Sequence, residues 1–138
     1  MEIELKQIRA DDTLGLRQDI LWPDHPISHV KVKGDENALH IGAFAGGMHI
    51  GVGSFFYQGA QVQLRKLAVR PEIQGHGVGS RIVRFGAHVL RGQDINTLWC
   101  DARVSATGFY SALGFEIDPE VFLKSGVAYQ KAIWRLGA

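Results

Sequence analysis

Residues 64–79, LRKLAVRPEIQGHGVG, set a run of glycines between an apolar stretch and a segment with helical spacing. Gly75, Gly77 and Gly79 alternate with His76 and Val78, and Gln74 and Ser80 bound them. Glycine carries no Cβ, so a ligand can come close to the backbone there. Successive amides in such a turn and the N-terminus of the helix that follows converge on one point, which suits an anion. The amides of Gly75 through Ser80 are the candidate donors, with Gln74 capping the loop or donating from its side chain. An ordinary glycine-rich turn before a helix is the plainer reading of the same residues.

Other anion and nucleotide chemistries fit less well. Gly75-x-Gly77-x-x-Ser80 is a degraded dinucleotide fingerprint, with Asp101 about where a ribose-binding acid would stand. Ser80 replaces the third glycine, residues 70–74 intervene before the first, and only 37 residues follow Asp101, too few to finish a doubly wound sheet. No Gly-Lys-Ser/Thr is present, which excludes a Walker-type loop. Cys100 is the single cysteine, so no internal disulfide or cysteine zinc cluster can form. It reads as a small buried hydrophobe, because no spacing fixes a base beside it. His25, His29, His40 and His49 lack metal-ligand spacing on one helix face, and no metal is expected.

Holding the loop requires a strand before it and a helix after it. Residues 61–69 supply the strand, and over Val78–Leu90 the helical spacing puts Val78, Ile82, Phe85 and Val89 on one stripe. Asn96–Asp101 is a short apolar strand, and the strand–helix–strand order makes it parallel to residues 61–69. Ala38–Ala45 and His49–Tyr57 are strands joined at the Gly46-Gly47 hairpin signal, and a turn at 58–60 leads on to residue 61. Glu2–Ile8 is a half-buried strand. Asp11 or Asp12 caps a helix over residues 13–21, which Pro23 and Pro26 end. Residues 23–37 are a polar loop rich in breakers, a natural place for substrate contacts. Ser105 caps a short helix to Leu113, Gly114 supplies the left-handed residue after it, and residues 115–117 and 127–136 finish the sheet. The order β-α-β-β-β-α-β-α-β is that of a mixed α/β (α+β) sandwich.

Two blocks carry a resemblance. Gln74-Gly75-His76-Gly77-Val78-Gly79 matches the pyrophosphate signature Gln/Arg-x-x-Gly-x-Gly/Ala, with Leu67-Ala68-Val69 and Pro71-Glu72 in their usual places before it. About 30 residues on, Ala106-x-x-Phe109-Tyr110-x-x-x-Gly114-Phe115 matches a second block. Over roughly residues 62–116 the chain therefore resembles the GNAT superfamily of acyl-CoA-dependent N-acyltransferases. The resemblance implies a GNAT-like, mostly antiparallel sheet with a central splayed parallel pair, flanked by helices, in one domain over residues 1–138. It implies acetyl-CoA as co-substrate and transfer of its acetyl group to a primary amine, on a small molecule or a peptide, by direct attack in a ternary complex.

It also implies roles. Residues 74–80 hold the pyrophosphate. Leu67, Ala68 and Val69 line the pantetheine arm, and the Val69 N–H polarises the thioester carbonyl. Tyr110 is the candidate general acid toward the departing sulfur, and Phe109 is core or a wall of the cleft. Arg103 replaces the asparagine common in the family; it either reaches a CoA phosphate or the adenine or is a solvated surface residue. Arg81, Arg84, His88 and Arg91 recur at helical spacing, as a solvated face or, for Arg81 and Arg84, a contact to the CoA 3′-phosphate. The glutamate that many members carry on the motif strand is missing, since Gln61, Gln63, Arg65 and Lys66 stand there. Asp101 and His40 are the candidate bases, with ordered water as the alternative. Arg17, Trp22, Asp24 and His25 lie in segments that could line the acceptor side. Many relatives pair through late strands, so a homodimer stays open. An acyl-CoA-binding sensor without catalysis is the competing function.

Composition agrees with such a domain. The chain has 138 residues, 46% of them apolar, and a net charge of +1, so bulk charge implies no polyanion partner. The sequence pI of about 8.0 does not point to nucleic acid. No apolar run approaches the roughly 20 residues that span a bilayer. With one cysteine and no apolar leader at residues 1–12, a cytoplasmic protein without membrane or nucleic-acid partners is expected.

Overall fold

Strand and helix signals resolve into a seven-stranded sheet with helices on both faces in the computed structural model, which describes residues 1–137. The elements are β1 (Glu4–Ile8), α1 (Ala10–Leu21), β2 (Leu39–Ala45), β3 (Met48–Gln58), β4 (Gln61–Val69), α2 (Val78–Arg91), β5 (Thr97–Arg103), α3 (Thr107–Leu113), β6 (Glu116–Lys124) and β7 (Val127–Arg135). The sheet order is β1-β2-β3-β4-β5-β7-β6. Every neighbouring pair is antiparallel except β4–β5. The expected mixed sheet with a central parallel pair is the one observed.

The larger core lies between the sheet and α2. Ile41, Ala43, Ile50, Phe55, Val62 and Leu64 meet Val78, Ile82, Val83, Ala87 and Leu90, all buried. Each such side chain contributes about 1.5–3 kcal/mol on leaving water. The buried stripe of α2 is rotated from the expected one: Phe85 and Val89 only flank it, while Val83, Gly86, Ala87 and Leu90 are inside. Gly86 explains the rotation, because a Cβ there would enter the Phe55 ring, 2.6 and 2.7 Å from Cε1 and Cε2. The missing side chain lets the helix settle onto β3. On the other face, Leu16 of α1 packs against Val52 and Ala68, with Ile8, Ile20 and Leu21 around them.

Several boundaries differ from those expected. α1 starts at Ala10, so Asp12 does not cap it; as a first-turn residue it accepts the Arg9 N–H at 3.0 Å. Ser105 does not cap α3 either: a 3-10 turn over Val104–Ala106 precedes it, and no side chain bonds its first amides. β6 runs on to Lys124, past Pro119, because it is an edge strand with a register shift between Ile117 and Val121. Only an edge or bulge tolerates proline's missing donor. The 23–37 loop holds two 3-10 turns, Ile27–Val30 and Asp35–Asn37.

Candidate active site

β4 and β5 pair only through Gln61–Thr97, Val62–Leu98 and Gln63–Trp99. Beyond that point the two strands part, while each stays paired on its outer side, β4 to β3 and β5 to β7. A bulge in β4 follows within the parted stretch. The ladder steps from Val52–Ala68 to Ser54–Arg65, so Lys66 and Leu67 together face Gly53. Lys66 takes the left-handed conformation, φ 57°. A bulge bends its strand and sharpens the twist.

At the C-terminal end of β4 the ladder also sets where Val69 points. The Arg70 N–H donates to the Ile50 carbonyl at 2.9 Å. Antiparallel pairs alternate, so the Val69 N–H and C=O turn away from β3 and into the gap. The Val69 carbonyl there accepts a bond from Gln74 Nε2 at 3.2 Å, which ties the loop to the strand end. Gly75 and Gly77 have φ of 86° and 75°, the left-handed region that favours glycine. His76 Nδ1 donates to the Ile73 carbonyl at 2.9 Å, turning its ring away from the loop's concave side. The amides of Gly75 through Ser80 donate to no acceptor among the described residues. Six adjacent N–H groups at the start of α2 are thus left for an anion.

Loop and gap share one cleft of about 600 Å³. Leu67, Ala68 and Val69 line it from β4, and Gln74, Gly75, Gly77, Val78, Gly79 and Ser80 from the loop and the start of α2. Ala106, Phe109 and Tyr110 line it from α3 and the turn before it. His76 and Arg103 do not line it, and both are exposed. The Phe109 ring packs edge-on against Tyr110 at 4.9 Å, and Tyr110 against Phe115 at 5.2 Å. Phe109 Cζ lies 3.4 Å from the Cβ position of Gly79, which brings α3 close to the loop.

Burial, then the adjoining Cys100 thiol, raises the Tyr110 hydroxyl well above the ordinary tyrosine range. It is a protonated donor at neutral pH. Burial likewise pushes the Cys100 thiol up to about 12, which leaves it inert as a nucleophile.

The two candidate bases part company. His40 is 3% exposed and locked in a polar network under α1. Its Nε2 donates to the Asp35 carbonyl at 2.7 Å, so its Nδ1 accepts from Ser54 Oγ at 2.8 Å. Ser54 Oγ in turn accepts from Arg17 Nη2 at 2.9 Å. With both nitrogens engaged, His40 does not face the cleft. Asp101 alternates with the core residues Cys100 and Ala102, so it points to the other face of the sheet, where it pairs with Lys124 at 3.2 Å. Arg17 is fully buried and grips Asp35 with two bonds, 2.7 and 2.9 Å, so it is unavailable to an acceptor. Nothing local in the sequence announced this pair, since 18 residues separate its members. Trp22 packs edge-on against His25 and His29, and the two histidines stack at 4.2 Å. Of the basic stripe, Arg81 and Arg91 each donate to a backbone carbonyl, Ile3 and Leu136, while Arg84 and His88 are exposed.

Among the described residues, no group of three or more His, Cys, Asp or Glu is placed to hold a metal. No helix among them is long and apolar enough to cross a membrane.

Comparison with known proteins agrees with this geometry. Residues 4–115 match the model of the Acetyltransferase (GNAT) family. The chain is 30% identical over 134 residues to the uncharacterized N-acetyltransferase YitI of Bacillus subtilis (strain 168), covering 91% of this chain and 90% of that one. Its fold is similar to the ribosomal-protein-S18-alanine N-acetyltransferase of Escherichia coli, with a TM-score of 0.83 at 14% identity over 99% of this chain and 96% of that one. It is also similar to an aminoglycoside 6′-N-acetyltransferase solved with coenzyme A, with a TM-score of 0.81 at 12% identity over 98% of each. The parted strands, the open loop amides and the family match lead to one assignment: the chain belongs to the GNAT family of acetyltransferases.

Proposed function

We propose that this chain moves an acetyl group from acetyl-CoA to a primary amine by direct attack within a ternary complex. The observation that carries this reading is the continuity of the cleft. Six unbonded amides stand at one end, and the β4 edge, unpaired beyond Gln63 on its β5 side, runs along the same cleft that Tyr110 lines. A diphosphate fits the amides, and an amide-bearing arm fits the strand edges as an added strand would. Leu67, Ala68 and Val69 would hold the arm, and residues 74–80 the diphosphate.

The acceptor nitrogen attacks the thioester carbon. The C–N bond forms, and the C–S bond breaks with its electron pair moving to sulfur. Charge that builds on the carbonyl oxygen meets the Val69 N–H, which the ladder aims into the gap. Sulfur takes the Tyr110 proton as it leaves, the nitrogen sheds its remaining extra proton to water, and Tyr110 regains a proton from solvent. The acceptor must first shed a proton; for an amine of pKa ~10.4 this costs about 4–5 kcal/mol at pH 7. Asp101, on the face opposite the cofactor cleft, is the base this reading favours over His40, with water as the other route to solvent.

Gly77→Asp tests the loop. Its φ of 75° is compatible with Asp at some strain, and the carboxylate adds like charge beside the proposed diphosphate. CoA affinity, read by calorimetry, should fall at least about tenfold. Equal affinity in variant and wild type would refute the loop assignment. CoA binding with no thiol release across a broad amine panel would point to a sensor instead.

A further inference from the structure

The bulge in β4 does two things at once. Leu67 lines the cofactor cleft, whereas Lys66, one residue earlier, reaches to the α1 side of the sheet. Lys66 Nζ lies 5.8 Å from the centre of the Trp22 ring. Its backbone is left-handed, an uncommon state for a side chain of that size. Burial, followed by the charges of Arg65, Arg17 and Lys124, lowers the Lys66 pKa, and Asp35 only partly opposes them. Asp35, the carboxylate whose charge reaches it, is already engaged by Arg17. Lys66 itself makes no ion pair or hydrogen bond among the described residues.

A half-buried ammonium in a cluster of like charges is unfavourable unless an anion joins it. Strained backbone that persists beside a reaction site points to use. We propose that the acceptor amine carries an anionic group, a carboxylate or a phosphate, and that the Lys66 ammonium binds it on the face opposite the cofactor cleft. This rests on the acetyl-transfer reading above. A polycationic acceptor would bring more positive charge to a lysine that already feels the charges of Arg65, Arg17 and Lys124. An acceptor with one amine and one anion brings the missing counter-charge and lays its amine toward the gap.

The test is thiol release from acetyl-CoA with matched acceptors: free amino acids against their decarboxylated amines, and phosphoethanolamine against ethanolamine. One anionic series should be turned over with kcat/KM at least about tenfold above its neutral partners. Lys66→Asn removes the charge and suits the left-handed backbone. It should raise KM for that acceptor about tenfold or more while KM for acetyl-CoA stays put. Lys66→Arg should restore discrimination. The wild-type ratio decides the matter even where a variant folds poorly. Neutral amines used as well as their anionic partners, or no anionic amine used by a protein that binds CoA, overturns the proposal. A protein that binds no CoA removes the acetyl-transfer reading and this one with it.

Discussion

Replacing Tyr110 by phenylalanine removes one hydroxyl and leaves the ring between Phe109 and Phe115, at 4.9 and 5.2 Å. The cleft wall keeps its shape, so KM for acetyl-CoA should change little. The rate should fall for a reason that can be sized. A positioned general acid contributes about 10²–10⁴. The Tyr110 proton is held more tightly than in free tyrosine, pKa about 10, whereas an ordinary thiol has a pKa of about 8.5. Complete transfer to sulfur is then uphill by at least about 2 kcal/mol, so the proton is only partly moved in the transition state. That places the loss near the lower end, about 10²–10³ in kcat, or 3–4 kcal/mol. The neighbouring Cys100 cannot take over, because its own thiol is pushed up to about 12. The assay is thiol release at saturating acetyl-CoA. In the wild type, the raised hydroxyl stays protonated as pH rises, so no loss of rate below about pH 10 should trace to Tyr110. Unchanged kcat in the variant removes Tyr110 from the chemistry. A rise in KM for acetyl-CoA with kcat intact would make it a binding residue only.

Two further outcomes follow from the packing. Gly86→Ala gains about 1 kcal/mol of helix propensity but drives a methyl into the buried Phe55 ring, and overpacking costs about 1–3 kcal/mol. A net loss of up to about 2 kcal/mol in urea unfolding is expected, and a more stable variant would contradict the close approach of α2 to β3. Asp35 provides the acid dependence. Burial would raise its pKa, but the Arg17 guanidinium and the Val32 N–H outweigh that and bring it below the usual 3.8. A lowered folded pKa gives stability that is full above about pH 4 and drains away as pH falls through the folded value. Asp35→Asn should flatten that acid slope and cost about 3–5 kcal/mol at neutral pH, since it leaves Arg17 buried and unpaired. Equal acid slopes in the two proteins would clear Asp35 of the role.

Much of the fold was legible because its signals are local. The Gly46-Gly47 hairpin, the left-handed Gly114 and the strand–glycine–helix order around residue 74 each depend on residues adjacent in sequence. What escaped depends on distance. The depth to which α2 sinks is decided by Phe55, 31 residues before Gly86, so the buried stripe could not be read from the helix alone. The expected strand at 115–117 stops short of Lys124, because nothing in the sequence says that β6 lies at the sheet edge. At the site, the loop and the second block gave Gly75, Gly77–Ser80, Phe109 and Tyr110, which the fold does gather on one cleft, and His76, which it leaves outside. His40 looked like a base because its hydrogen-bond partners, Ser54 and the Asp35 carbonyl, come from elsewhere in the chain. The importance of Lys66 was equally hidden, since a lysine on a strand gives no hint of a positive φ.

The gap between β4 and β5 is a defect the fold maintains, and its geometry explains why it stays open. β5 is bonded along its whole length to β7, from Thr97–Arg135 to Arg103–Tyr129. β4 is bonded to β3 as far as Val69, and Gln74 fastens the loop back onto that last carbonyl. Closing the gap would mean moving one half of the sheet against the other. The backbone groups along both edges therefore lack the ladder partners that sheet interiors normally provide, a state proteins seldom tolerate away from water. An extended chain of amides laid between the edges would supply those partners without disturbing any existing bond. The bulge within the parted stretch is the step that sends Leu67 to one face and Lys66 to the other. One local irregularity thus fixes both where the thioester would lie and where an acceptor's charge would be met, which ties the proposed donor and acceptor sites to the same two residues.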